Sequence, residues 1–393
     1  MGYKIELGSL TRELGKLKSK EGYIYAGSPN FIGLFGRDSL ISSWQLLDYD
    51  PKIARDTLIA LSKIQGRRSD RRTQEQPGKI PHEYYPKTTS IRWFNRYKGH
   101  VGWLKIGRPE YLSVDSTPLF IIVLAKYYEK TGDKRTLARL WPSARRAANW
   151  ISDYGIYKKF VRYMSDGGKL KSQSWKDGIG KLLDDAVSPV AIVEVQGYSY
   201  KALSDMMALM QAMRDTRGEK AFAKMADDLR SNFESAFWME KGKFYAMAIE
   251  GNGRQIKTIT SNPGHLLFTG ILDGKRADAV ARRLFMRDMM TPYGIRTQSS
   301  SDKHFNQYAY QLGSVWPHDN WIIAEGLRQT GHIREYNRIR ASIIRAAQKL
   351  GSIPEYYGVS KGNRLLPLDV MWPRPCDPQA WSLATLISML YDK

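Results

Sequence analysis

The sequence predicts an all-α protein, an (α/α)6 toroid of about twelve helices in six pairs with the long loops gathered at one end. Three observations carry this. Helical patterns come in pairs joined by short links. Within several pairs one member is apolar all round and the other carries a single apolar stripe, as two concentric layers require. The segments between pairs are long, irregular in length and rich in Gly, Pro, Trp and Tyr, unlike the short loops and fixed repeat of an α-solenoid.

Taken in order, the first helix is expected over Ile5 to Lys20, with a loop from Glu21 to Arg37 behind it. Asp38 can cap a helix to Leu47, and Asp50-Pro51 opens the next, to Ile64. A second loop, Gln65 to Val114, ends at Asp115, which is expected to cap a helix holding Pro118 in its first turn. The apolar run Leu119 to Leu124 predicts that this helix is buried. Gly132-Asp133 breaks it. The partner runs to Tyr154 with Leu137, Leu140, Ala144, Ala147 and Ile151 on one stripe, and Pro142 is expected to kink or split it. Loop three, Gly155 to Pro189, precedes an apolar helix from Val190 to Met213 and an amphipathic one from Glu219 to Met239. A loop to Ser261 follows, then short helices from Asn262 and from Gly274 to Phe285. Loop five, Met286 to Leu312, leads to helices from Ser314 to Gln329 and from Ile333 to Leu350. Loop six begins at Gly351, and a helix from Pro378 to Tyr391 closes the chain. The expectation is one domain over 1–393, with 1–30 as a lead-in helix.

Composition narrows the function. The chain has 393 residues, 42% of them hydrophobic, enough for a large core. No apolar run of about 18 residues is present to span a membrane, and the N-terminus lacks the apolar stretch of a signal peptide. Cys376 is the only cysteine, which excludes an internal disulfide and a multi-cysteine metal site and fits the cytoplasm. The net charge of +22 raises nucleic acid as a partner. The basic residues are spread along the chain, however, and form no recognisable nucleic-acid module. No cofactor, metal, membrane or nucleic acid is expected.

What remains is carboxylates beside aromatics in loops. Asp177 lies in Ser174-Trp175-Lys176-Asp177-Gly178. Glu355 follows Pro354, whose fixed φ gives it a stiff approach, and precedes Tyr356 and Tyr357. Trp316-Pro317-His318-Asp319 opens a helix, Gly36-Arg37-Asp38 ends a loop, and Glu194-Val195-Gln196 begins an apolar helix. Sugars call for such groups. Aromatic faces cover the C–H surface of the ring, and Arg and Asp bond its hydroxyls. Glycosidic cleavage needs one carboxylic acid for the leaving oxygen and one carboxylate to activate water or to attack. Each residue has a plainer reading: Asp38 as a cap, Trp316 as core, Asp319 as a helix-terminus charge, Asp177 and Glu355 as solvated loop carboxylates. Glu194 on an apolar helix is the one whose burial without a role would be costly.

A resemblance sharpens these choices. Phe35-Gly36-Arg37-Asp38-Ser39, Gly78-Lys79-Ile80-Pro81-His82-Glu83, Val114-Asp115-Ser116-Thr117-Pro118-Leu119, Trp175-Lys176-Asp177 and Val193-Glu194-Val195-Gln196-Gly197-Tyr198 come first in the chain. Ser261-Asn262-Pro263-Gly264-His265, Tyr293-Gly294-Ile295-Arg296-Thr297, Gly313-Ser314-Val315-Trp316-Pro317-His318-Asp319, Pro354-Glu355 and Pro378-Gln379-Ala380-Trp381 follow. Together and in this order they resemble the amylo-α-1,6-glucosidase domain of glycogen-debranching enzymes and its bacterial and archaeal relatives, in the six-hairpin glycosidase class. The resemblance implies an (α/α)6 barrel acting on an α-glucoside such as an α-1,6 branch stub. It implies Asp177 as general acid, Glu355 as general base, and Arg37 with Asp38 gripping the non-reducing-end glucose. Asp115, Trp175, Lys176, Glu194, Gln196, Trp316, His318 and Asp319 complete the expected substrate site.

The two catalytic carboxylates come from different loops on a wide barrel, which favours a gap that admits water and hence inversion. The acid needs a dry site with Trp175 as a screen, and Lys176 is expected to point the other way. The rivals are a trehalase-, mannosidase- or epimerase-like enzyme on the same barrel, and a catalytically dead carbohydrate- or nucleic-acid-binding protein.

Overall fold

The computed structural model describes residues 3–99, 101–164, 169–178, 180–183 and 185–391. The chain divides into two compact units. One contains Tyr157–Lys201 and Ala226–Pro375, and the other Leu7–Ile156, Ala202–Met225 and Cys376–Lys393.

In the second of these, helix Gly36–Gln45 is buried at every position. It packs against Ser116–Thr131, Ala380–Tyr391 and Pro51–Lys63. Ser116–Thr131 is buried continuously from Ser116 to Leu124, whereas Pro51–Lys63 buries only Ile53, Ala54, Thr57, Leu58 and Leu61. The alternation of all-round and one-sided helices is the predicted one. Local chemistry sets the ends. Asp50 accepts from the Lys52 N–H with Pro51 in the first turn, Asp133 accepts from Thr136, and Gly132 takes the left-handed conformation that lets the chain turn between helices.

Three expectations fail here. Asp38 does not cap its helix: Phe35 is the capping residue and Asp38 stands in the first turn, where its charge suits the helix dipole. Asp115 stands at the cap position but its side chain makes no cap bond. Helix Lys134–Trp150 runs unbroken through Pro142, because packing over Leu137, Leu140, Trp141 and Ala144 outweighs the lost bond. In addition, helix Ile91–Tyr97, capped by Ser90, lies inside what reads as loop two.

In the other unit the same pairing recurs. Pro317–Gln329 is buried on all sides and packs on Ile333–Leu350, which buries only Ile339, Ser342, Ile343, Ala346 and Ala347. The loops carry short antiparallel pairs: Trp238–Met239 with Phe244–Tyr245, Met290–Thr291 with Gly294–Ile295, and Ala248–Ile249 between Ala191–Ile192 and Gln255–Ile256. Strands of two residues are too short to show alternation, so the sequence reads as loop there. No helix among the described residues is long and apolar enough to cross a membrane.

Candidate active site

The site residues of the unit containing Tyr157–Lys201 and Ala226–Pro375 are held by three laced loops. Val315 and Tyr357 exchange backbone bonds at 2.9 and 3.1 Å, and Thr297 N donates to Ser314 O at 2.8 Å. Arg296 is buried beneath them and donates to the carbonyls of Val359 and Ser360, its guanidinium pulled down to about 10 by burial. This fixes the segment around Glu355, itself buried, against the segment before Pro317.

Two neighbouring residues then reach the Glu355 carboxylate and the backbone on either side of Asp177. The Tyr310 hydroxyl donates to Glu355 Oε1 at 2.5 Å. The Gln311 amide donates to Trp175 O at 2.8 Å and accepts from Gly178 N at 2.7 Å, so it clamps the two ends of the segment that presents Asp177. Gly178 lies against the Tyr310 ring; a β-carbon there would stand 2.7 Å from Tyr310 Cδ1. Neither Tyr310 nor Gln311 stands out in the sequence, since a tyrosine and a glutamine in a loop carry no motif of their own.

An aromatic wall backs this arrangement. Trp316 stacks on Tyr356 with centroids 5.2 Å apart, Tyr310 meets both edge-on, and the Trp316 indole N–H donates to Tyr310 O. Trp175, buried to 1% exposure, stacks on His265 and meets His318 edge-on at 5.0 Å. His265 is a further residue outside the expected set. The Tyr198 hydroxyl and Asp319 carboxylate flank its two nitrogens at 2.6 and 2.8 Å; with Nε2–H donating to Asp319, Nδ1 accepts from Tyr198.

Lys176 departs from its expected direction. It turns inward, is 1% exposed, and donates to Thr297 O at 2.5 Å. Burial pulls its ammonium down to about 8, against the opposing charges of Asp319 and Glu194. Glu194 is fully buried, and burial pushes its carboxyl up, opposed by His265, Asn262 and Lys176. Residues 172–176 are all buried and Asp177 is half-buried, so the dry position belongs to the lysine and not to the expected acid. Gln196, expected on substrate, has its amide occupied by backbone: it accepts from Val161 N and donates to Val161 O and Ile192 O, each at 2.9 Å.

Arg37, Asp38 and Asp115 belong to the other unit. Arg37 Nε donates to Asp115 Oδ2 at 2.6 Å with both side chains buried, and Ser113 Oγ donates to Asp115 Oδ1 at 2.6 Å. That claim on its carboxylate explains why Asp115 does not cap. His82 is also buried there, its imidazole held well below the usual range by burial first and then by the charges of Arg37, Lys98 and Lys79. The unfolded chain takes up a proton near pH 6.5 and the folded one does not. The stability is therefore complete above that pH and falls, by up to about 1.4 kcal/mol per pH unit, as acid is added. His82→Gln is expected to flatten the fall in Tm between about pH 6.5 and 5; an unchanged slope would assign it elsewhere.

Comparison with known proteins places the chain. Residues 35–382 match the model of the mannosylglycerate hydrolase MGH1-like glycoside hydrolase domain. The chain belongs to this glycoside hydrolase family. Mannosylglycerate hydrolase MGH1 of Selaginella moellendorffii is 29% identical over 158 residues, 40% of this chain and 32% of that protein. The mannosylglycerate hydrolase of Rubrobacter radiotolerans is 27% identical over 154 residues, 37% of this chain and 34% of that protein. These matches thus span about a third of the relatives' length. Among solved structures, the GH63 mannosylglycerate hydrolase of Thermus thermophilus bound to Tris aligns with TM-score 0.73 at 16% identity, covering 98% of this chain and 100% of that one. The same enzyme bound to glucose gives 0.75 at 16%, covering 98% and 99%. The family's (α/α)6 toroid is the fold predicted from helix pairing. The six-hairpin glycosidase class named from the motifs holds; the family within it that matches is the mannosylglycerate hydrolase one.

Proposed function

We propose that this protein hydrolyses an α-glycosidic bond to glucose or mannose with inversion, Asp177 serving as acid and Glu355 as base. The observation that carries this is the Tyr310-Gln311 pair, which bonds Glu355 and braces the segment of Asp177 from adjacent positions. A structural carboxylate in a loop has no need of such bracing; two groups that must act on one bond do. In the reaction, water attacks the anomeric carbon and Glu355 takes its proton. Asp177 gives its proton to the glycosidic oxygen, the C–O bond breaks, and the leaving group departs as an alcohol.

Trp175, His318 and Trp316 form the apolar surround in this reading. The lone cysteine supports action in the cytoplasm. The relatives' names favour mannose and the order of motifs favours an α-1,6-linked glucose, so both belong in the assay. Mannosylglycerate, isomaltose and methyl α-glycosides of both sugars are expected to separate them, with proton NMR showing the β-anomer first. Initial release of the α-anomer would exclude the single-displacement mechanism, and no turnover of any of these would exclude the reaction.

A further inference from the structure

A cleft of about 730 Å³ opens on the unit that contains Ala226–Pro375, and none of the candidate site residues lines it. Its size is that of a small-molecule site, about 300–1,000 Å³. Three segments wall it. Helix Ile333–Leu350 presents Arg338, Ser342 and Arg345, which share one face at spacings of four and three. The hairpin opened by Met290–Thr291 supplies Met290 and Pro292, with Arg287 just before it. The turn between Val359 and Leu365 brings Lys361 and Asn363. The walls are tied to one another and to their surroundings. Arg345 Nη1 donates to Pro292 O at 3.1 Å, the Tyr357 hydroxyl donates to Tyr293 O at 2.7 Å, and Lys361 N donates to Gln307 Oε1 at 3.1 Å.

Two features of the lining point to a ligand. The first is charge. Arg287, Arg338, Arg345 and Lys361 converge here, and among the described residues none of them forms an ion pair. No carboxylate is among the lining residues. Asp288, next to Arg287, is taken by Arg283 at 2.7 and 3.0 Å. Arg254 and Arg276, by contrast, each meet a glutamate. Four like charges round one recess repel one another until an anion enters. The second feature is Ser342. It is 3% exposed, and among the described residues its hydroxyl makes no hydrogen bond. A hydroxyl this deep without a protein partner is satisfied only by what enters the cleft.

We propose that this cleft binds a small molecule carrying a di- or triphosphate. Guanidinium groups offer paired N–H donors that match phosphate oxygens, and Lys361 adds a point charge. A ligand with a single negative charge would leave most of the four cations unmatched, whereas linked phosphates spread several charges over the same few ångströms. Met290, Pro292 and Ala341 give the cleft an apolar side, which suits the rest of a nucleotide. The site stands apart from the hydrolase reading, since no candidate catalytic or substrate residue takes part.

The test is calorimetric titration of the whole chain with tripolyphosphate and with ATP at about 150 mM salt, where exposed charges are screened beyond about 8 Å. Saturable one-to-one binding is expected. Tighter ATP identifies a nucleotide and equal affinity an inorganic polyphosphate, and both support the site. Arg287→Gln and Arg338→Gln are each expected to weaken binding about tenfold, and Ser342→Ala to weaken it by less. Lys241→Gln removes an exposed charge that does not line the cleft and should leave binding unchanged. Failure of both probes to bind overturns the site. Equal losses with Lys241→Gln would assign the binding to the net charge of +22 and overturn it too. So would displacement of tripolyphosphate by duplex DNA at equal phosphate concentration, which would give this face to a nucleic acid.

Discussion

Asp177→Asn and Glu355→Gln are each expected to lower kcat by about a thousandfold or more, with little change in Tm. Both replacements keep shape and remove only the ability to give or take a proton. The amide oxygen that replaces the Glu355 carboxylate could still accept from the Tyr310 hydroxyl. The Gln311 clamp on Trp175 and Gly178 touches backbone alone, so the loops should stay in place. The measurement is single-turnover hydrolysis beside a thermal melt. Loss of less than about tenfold at either position would move the chemistry to another carboxylate. Glu194 and Asp319 are the neighbours to examine then. Both are fully buried, and Asp319 is already bonded to His265, which makes them poorer proton carriers to a substrate oxygen.

The second large effect is on stability. Asp115→Ala removes the carboxylate that Arg37 Nε meets at 2.6 Å, with the arginine 2% exposed. Breaking a buried ion pair from one side costs about 3–5 kcal/mol, because the remaining charge stays desolvated. Against a typical total of about 5–15 kcal/mol, this is a large share. Chemical denaturation should show it as a lower midpoint at similar slope. Replacing both residues, Arg37→Met with Asp115→Leu, should cost less than the single change. Equal losses would mean that Arg37 contributes through packing rather than through its charge.

Much of the scaffold is legible in the sequence, because inner and outer helices differ in how far their apolar surface extends round the axis. The boundaries Ile333–Leu350 follow from a stripe and a left-handed Gly351, and Pro51–Lys63 from its Asp-Pro start. What local reading misses is set by partners distant in the chain. Asp115 looks like a cap until Arg37, 78 residues away, takes its carboxylate. Lys176 is expected among the substrate contacts and turned away from the acid's dry site until the Thr297 carbonyl, 121 residues on, accepts its hydrogen bond. Tyr310 and Gln311 are invisible for the same reason: their partners lie 45 and 136 residues off. Motif order could point to the carboxylates but could not show what braces them.

The Tyr310-Gln311 pair also works as a gauge block. Consecutive α-carbons stand about 3.80 Å apart across a trans peptide, a length that temperature and solvent scarcely alter. Glu355 and the backbone on either side of Asp177 are thereby tied to neighbouring positions of one short stretch. One residue inserted between 310 and 311 would move the two attachments apart along the chain.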